Sequence, residues 1–353
     1  MSGKLRVLIL GAGQMGTGIA RLVLQKIGME PAGVFGRRKE RVGMDLGLAA
    51  GQGKALGIRI DGDLESLIEQ SRPQVAIQAT CSRLDDALGE LTSLLRHGIP
   101  VISIAEEMAY PASSSLETAE KLDRLALEHG VAVVGTGINP GFVLDLLLIT
   151  LSGVCSDIHS ITARRVNDLS PYGPSVLKSQ GVGLTEEEFY NGIEEGSVVG
   201  HFGFRESIQM VAAAVGWEIE HIEELREPII AGVKRQTPFV TVEPGEVAGC
   251  FHQAIAYREG EPVITLIHPQ QIHPGLEGVE TGDSIEIDGT PSVHLAGSPE
   301  IPGGVATCAL AVNMIPRILN ASPGLHTMSD LPPPAALLGD VREMIGSGNG
   351  FYG

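Results

Sequence analysis

The run Val7-Leu8-Ile9-Leu10-Gly11-Ala12-Gly13-Gln14-Met15-Gly16 restricts the fold of this chain more than any other segment, because an apolar stretch passes through glycines at G-x-G-x-x-G spacing directly into a helical pattern. In a strand–turn–helix unit the three glycines do different things. Gly11 permits the tight turn, Gly13 lets main chain approach a pyrophosphate, and Gly16 lets helix and strand pack closely. Gln14 and Met15 lie between the last two and belong to the same loop. The phosphate charge then faces a helix N-terminus, where unpaired N–H groups favour an anion. Glycines at this spacing also occur in turns that bind nothing, so the surrounding pattern decides between the two.

Residues 4 to 135 supply that pattern. Leu5–Leu10, Ala32–Phe35, Gln74–Thr80, Val101–Ala105 and Val131–Val134 read as strands, while Met15–Ile27, Leu64–Gln70, Leu84–His97 and Ser115–His129 carry the 3.6-residue spacing of crossover helices. The expected fold class is α/β: an N-terminal Rossmann doubly wound parallel sheet, with ligands at the carboxyl ends of its strands, followed by a C-terminal α+β domain. After about residue 150 strands are expected at Ile158–Val166, Glu218–Glu224, Val240–Val242, Ala254–Arg258, Val263–His268 and Ser284–Ile287, with helices at Thr185–Glu194 and Phe204–Val215. The domains predicted are thus 1–150 for NAD(P) binding, 151–302 for substrate binding and oligomerisation, and 303–353 for a helix, Gly303–Leu319, that packs back on the first domain. Leu331–Pro334 and the Gly-rich end read as surface tail.

A net charge of −18 across 353 residues repels phosphate backbones, which argues against nucleic acid as a partner. No apolar run approaches the roughly 20 residues of a membrane helix, and the first residues lack the basic segment and cleavage site of a signal peptide, so a cytoplasmic protein is expected. The cysteines Cys81, Cys155, Cys250 and Cys308 form no C-x-x-C pair and read as reduced thiols. No metal-ligand spacing links the histidines.

Where an NAD-specific site ends its second strand in Asp or Glu, this chain has Gly36-Arg37-Arg38-Lys39. A guanidinium pairs well with a 2′-phosphate, so NADP(H) is the preferred cofactor expected from Arg37 and Arg38, with NAD(H) as the alternative; exposed arginines at a helix start are the bland reading. Thr80 and Cys81, at another strand end, are placed to hold the nicotinamide ribose. The loop Gly135-Thr136-Gly137-Ile138-Asn139-Pro140-Gly141 is built of small residues that let cofactor and substrate approach main chain, which makes Asn139 a candidate contact.

Glu106 and Glu107 follow the strand Val101–Ala105 and so reach the ligand edge of the sheet. A carboxylate there suits amine oxidation: as an anion it stabilises an iminium, and it can shuttle the proton of an attacking water. Paired glutamates are also common on solvated loops. Downstream, Arg165 and Asn167 at a strand end suit a substrate carboxylate, or else ordinary ion pairs. His201, His268 and His273 are possible polar contacts, although a lone histidine is more often structural.

The segments SIAEEMAYP (103–111), GTGINPGFVLD (135–145), RVNDLSPYGP (165–174), HPQQIHPGLEGVETGD (268–283) and EIPGG (300–304) together resemble the 2,4-diaminopentanoate dehydrogenase family over nearly the full length. The resemblance implies oxidative deamination of 2,4-diaminopentanoate at C4 to 2-amino-4-oxopentanoate and ammonia, reversible as reductive amination, in ornithine degradation. It also implies a dihydrodipicolinate-reductase-like architecture in a homodimer or higher homo-oligomer acting on a small amine or diamino acid. Related amine dehydrogenases carry a catalytic glutamate that falls on the pair here, Glu106 first and Glu107 second, and the family makes His201 and Thr307 pocket residues. Two rivals remain: another amine dehydrogenase or imine reductase of the same fold, and a non-catalytic NADP-binding sensor. The chain lacks the adjacent histidines of dihydrodipicolinate reductase, which weighs against the imine reductase.

Overall fold

The computed structural model describes residues 3–51 and 53–346. The chain divides into two compact units, one formed up to Phe142 and again from Gly303 onward, the other from Val143–Pro302.

In the first unit, strands β1 (Leu5–Leu10), β2 (Met29–Phe35), β3 (Ile60–Asp61), β4 (Val75–Gln78), β5 (Val101–Ser103) and β6 (Ala132–Gly135) alternate with helices. The second unit holds β7 (Asp157–Asp168), β8 (His221–Ile230), β9 (Arg235–Gln236), β10 (Thr241–Val242), β11 (Val247–Arg258), β12 (Glu261–Gln271), β13 (Gly282–Thr290) and β14 (Val293–Gly297). The returning chain adds β15 (Gly324–His326) to the first sheet, whose order is β15-β6-β5-β4-β1-β2-β3 with every pairing parallel. This is a Rossmann-type doubly wound sheet. Its central strands β1, β4 and β5 are buried because helices cover both faces, which is why they read as continuous apolar runs.

Helix starts follow their caps. Asp63 accepts the N–H of Ser66 and Ser115 that of Thr118, opening the helices Leu64–Ser71 and Leu116–Glu128. In the second unit Thr185 and Glu188 form a reciprocal capping box at the start of Glu186–Glu194, and Gly216 ends Phe204–Val215 in the left-handed region at φ 76°.

The second sheet is mixed, in the order β14-β13-β7-β12-β11-β8, with β7 and β12 parallel and the other pairs antiparallel; β9 and β10 form a separate two-stranded sheet. Several strand limits differ from those expected. The strand predicted at Glu218–Glu224 runs through Pro228 to Ile230, which is tolerated because β8 is the sheet edge and proline removes no donor the ladder needs. The strand predicted at Ala254–Arg258 starts seven residues earlier, at Val247, since the buried polar His252 hid its alternation. The helix predicted over Gly303–Leu319 is broken at Met314 into Gly303–Asn313 and Ile315–Leu319, because Pro316 has no N–H to continue the ladder. Leu331–Pro334 is no loose tail: Leu331, Leu337 and Val341 are buried, Lys26 Nζ donates to the Leu337 carbonyl at 2.8 Å, and the Val341 N–H donates to Ile27 O at 3.1 Å. The Gly-rich end, 347–353, lies outside the described residues.

Candidate active site

The fingerprint loop has the form a dinucleotide requires. Gly11 sits at φ +128°, and a Cβ there would lie 2.5 Å from Ala79 O; a Cβ on Gly16 would lie 1.8 Å from Gly11 O. Neither position accepts a side chain. Gly13 differs, with nothing within 4 Å of an added Cβ, and it and Gln14 are exposed while Met15 is half-buried. Gly13 is the N-cap of the twelve-residue helix Gln14–Gln25, and no side chain caps that helix start. Open space in front of uncapped N–H groups fits a pyrophosphate, whose anion takes the place of a cap.

The arginines after β2 have different surroundings. Arg37 Nε contacts Glu90 Oε1 at 2.7 Å, and its Nη2 donates to Asp86 O at 2.6 Å, so this guanidinium leans on the helix Leu84–Arg96. The hydrogen bond that Arg37 donates to Glu90, then the charge of that carboxylate, raises the Arg37 pKa. Arg38 is exposed. Arg41, which the motif did not single out, donates from Nη1 to Ala12 O at 2.9 Å and so braces the fingerprint loop.

Thr80 and Cys81 join the same network. The Thr80 hydroxyl donates to Glu90 Oε2 at 2.5 Å, Gln78 Nε2 donates to Thr80 Oγ1 at 2.7 Å, and Cys81 Sγ lies 3.2 Å from Gln78 Nε2. The buried Ser103 hydroxyl donates to Gln78 Oε1 at 2.5 Å and accepts the Ala105 N–H at 3.1 Å. One chain of hydrogen bonds therefore runs from the end of β2 through the end of β4 to the residue before Glu106.

Glu106 and Glu107 are both half-buried in a single 3-10 turn, Glu106–Ala109. That turn lies directly over the end of β6, where a Cβ on Gly135 would fall 1.8 Å from Met108 O. Glu107 Oε2 accepts the Leu84 N–H at 2.6 Å, capping a helix whose own N-cap residue, Arg83, does not cap it with its side chain. Asn139 is half-buried with neither amide atom hydrogen-bonded among the described residues, and beside it the Ile138 N–H donates to Thr307 Oγ1 at 3.2 Å. Thr307 comes from the helix Gly303–Asn313, which packs against Gln14–Gln25 where a Cβ on Gly18 would meet Cys308 Sγ at 2.7 Å.

The second unit gathers the remaining sequence candidates. Arg165 and Asn167 are buried and two apart on β7, hence on one face. The Arg165 guanidinium bonds Asp283 at 2.6 Å and also the Ile301 carbonyl. His268, on β12, places Nδ1 2.7 Å from Arg165 O, so Nδ1 carries the proton and Nε2 is left as an acceptor. His201 lies against His268 with ring centroids 4.9 Å apart. Burial, then the Arg165 charge, holds His268 down at about 3, and burial, then the proximity of His268, His252 and Arg165, holds His201 well below its ordinary value. Both rings are therefore neutral. His201 Nε2 and Asn167 Oδ1 are buried with no hydrogen-bond partner among the described residues. His273 stands apart, its Nε2 on Gln236 O at 2.7 Å.

Residue-type patterns missed Glu90, Gln78, Ser103, Arg41 and His252. For Glu90 a signal existed: it falls on the inward stripe of its helix with Ala87, Leu91 and Leu94. Among the described residues no group of three or more His, Cys, Asp or Glu is placed to hold a metal ion, and no helix is long and apolar enough to cross a membrane.

Residues 142–347 match the 2,4-diaminopentanoate dehydrogenase C-terminal domain, and residues 5–104 match the dihydrodipicolinate reductase N-terminus. The chain is 46% identical to 2,4-diaminopentanoate dehydrogenase of Acetoanaerobium sticklandii over 97% of both chains. It is 26% identical to an amine dehydrogenase of Streptomyces virginiae, over 90% of this chain and 94% of that one. Among solved structures, amine dehydrogenase from Mycobacterium smegmatis superposes with a TM-score of 0.83 at 27% identity, covering 95% of this chain and 98% of that one.

Proposed function

Because the chain belongs to the 2,4-diaminopentanoate dehydrogenase family and is an oxidoreductase with a Rossmann NAD(P)-binding fold, we propose that it catalyses the reversible oxidative deamination of 2,4-diaminopentanoate at C4, giving 2-amino-4-oxopentanoate and ammonia. The observation that carries the mechanism is the placement of both glutamates, half-buried, in the turn that follows β5 and lies over the end of β6; Glu106, the nearer to the strand end, takes the reacting role, and Glu107, which caps the helix Leu84–Arg96, comes second.

A nicotinamide supplies the hydride acceptor when the dinucleotide is bound. Gly11, Gly13, Gln14, Met15 and Gly16 would hold its pyrophosphate, Arg37 and Arg38 its adenosine end, Thr80, Cys81 and Asn139 its nicotinamide end. The exposed Arg38 supports NADP(H) as the preferred form. The carboxylate of Glu106 takes a proton from the C4 ammonium, stabilises the positive charge that develops on nitrogen, and moves the proton of the water that adds to the iminium.

The amino-acid end of the substrate falls to Arg165, Asn167, His201 and His268. Two buried polar atoms without partners among the described residues, Asn167 Oδ1 and His201 Nε2 in the tautomer that leaves it unprotonated, suit an ammonium, and neutral rings do not repel one. Thr307 holds the Ile138 N–H and so fixes the loop carrying Asn139. We place this chemistry in a cytoplasmic homo-oligomer serving ornithine degradation.

Reduced cofactor formation from 2,4-diaminopentanoate, measured beside monoamines and other diamino acids with NADP and with NAD, tests the reading. Turnover of 2,4-diaminopentanoate in preference to the others is expected. Equal turnover of simple amines would remove the substrate assignment, and tighter NAD(H) would remove the cofactor preference.

A further inference from the structure

We propose that Glu90 sets the cofactor specificity of this site by acting as an internal counter-ion to Arg37, competing with the 2′-phosphate of NADP(H) for its guanidinium. The proposal rests on the dinucleotide-binding reading of the first unit.

The pair is asymmetric. Glu90 has a side chain only 9% exposed, whereas Arg37 is 40% exposed and reaches the surface at the end of β2. The carboxylate is fixed from a second side by the Thr80 hydroxyl at 2.5 Å, and the guanidinium from its own second side by Asp86 O at 2.6 Å. Glu90 also stands among apolar neighbours on the covered face of its helix, where an unpaired carboxylate is costly. An apolar residue would serve the packing of that face at least as well, so what the carboxylate adds is the two hydrogen bonds it accepts, from Thr80 and from Arg37. The second of these limits what Arg37 has left to offer a ligand. A 2′-phosphate must share the guanidinium with Glu90 or draw it away, and either weakens the contact; a 2′-hydroxyl meets no such competition. Arg38 is untouched by Glu90, so the balance between the two nucleotides is set by Arg38 favouring the phosphate and Glu90 holding Arg37 back.

Two nucleotides that differ only at the 2′ position, 2′,5′-ADP and 5′-AMP, read this without catalysis. By titration calorimetry on the whole protein, Glu90→Gln is expected to tighten 2′,5′-ADP by about tenfold and leave 5′-AMP within about twofold, as one charge-assisted contact is released. In an Arg37→Leu background the same substitution is expected to change nothing. A folded Glu90→Gln protein with an unchanged ratio of the two affinities overturns the proposal, as does an equal gain without Arg37, which would mean direct repulsion of the phosphate. Should Glu90→Gln not fold, Arg37→Leu alone decides: a lower preference for 2′,5′-ADP is expected and an unchanged one is fatal. Failure of both nucleotides to bind the unmodified protein would remove the dinucleotide reading itself, and this proposal with it.

Discussion

A Glu107 carboxylate oxygen accepts the backbone N–H of Leu84 at 2.6 Å, so a side chain from the turn after β5 completes the first turn of the helix that follows β4. Its neighbour Glu106 carries the proton transfers in the proposed mechanism, and the two are separable by substitution. Glu106→Gln is expected to keep dinucleotide binding and lose turnover by about a hundredfold or more, the usual worth of a positioned acid–base group. Glu107→Ala is expected to cost about 1 kcal/mol of stability through the lost cap. Steady-state rates and urea unfolding measured on both proteins check the division; near-normal rates in Glu106→Gln would sink it.

Gly13 and Gly16 separate cofactor binding from folding in the same way. Gly16→Ala drives a Cβ into Gly11 O and is expected to destabilise by about 2–4 kcal/mol, as overpacking against rigid main chain does. Gly13→Ala enters open space and is expected to stay within about 1 kcal/mol of the parent while weakening NADP binding by about tenfold or more. Melting curves with and without nucleotide compare them. Unchanged nucleotide affinity in Gly13→Ala would place the pyrophosphate elsewhere.

Asp283 is the counter-ion of the buried Arg165 guanidinium. Asp283→Asn leaves that charge uncompensated and is expected to cost about 3–5 kcal/mol, whereas replacing both partners with apolar residues costs far less. Chemical unfolding of the single and double variants tests this; additive losses would show that the pair is not coupled.

Acid destabilises the second unit by a route that can be signed. His268 is held at about 3 against an ordinary 6.5 by burial and then by the charge of Arg165, so between those values the unfolded chain binds a proton the native one refuses. Stability is full above 6.5 and falls as pH drops from 6.5 toward 3. Glu224 adds in the same direction at lower pH: its hydrogen bond to His252 holds it at about 2 against 4.5, so its contribution is lost between those values. Urea midpoints taken near pH 8, 6 and 4.5 are expected to decline only in the acid half of that range, and less steeply in His268→Gln. A flat profile would mean that the ring is solvated.

Local patterns made the Rossmann unit legible. The glycines at 11, 13 and 16 are close together in sequence, and the strands around them are buried on both faces, so composition alone marks them. β3 and β15, of two and three residues, are too short to show a period. Candidates for the site could be named where residue type and strand end coincide, as at Arg37 and Glu106. The site was not readable where partners are distant. Glu90 meets Arg37 across 53 residues of chain, and the His268 ring meets the Arg165 carbonyl across 103. Which guanidinium is occupied, and which histidine is neutral, are properties of register and packing that no window of sequence contains.

β15 joins β6 only after the whole of Val143–Pro302 has been threaded between them. During synthesis, then, β6 waits as an open parallel edge while an entire intervening unit leaves the ribosome, and the nascent nucleotide-binding layer lacks both its last strand and the helix that contributes Thr307. Chain released before Gly324 carries an unpaired strand rim and is a natural client for chaperones, which makes premature termination costlier here than in a protein whose layers are finished in the order they are made.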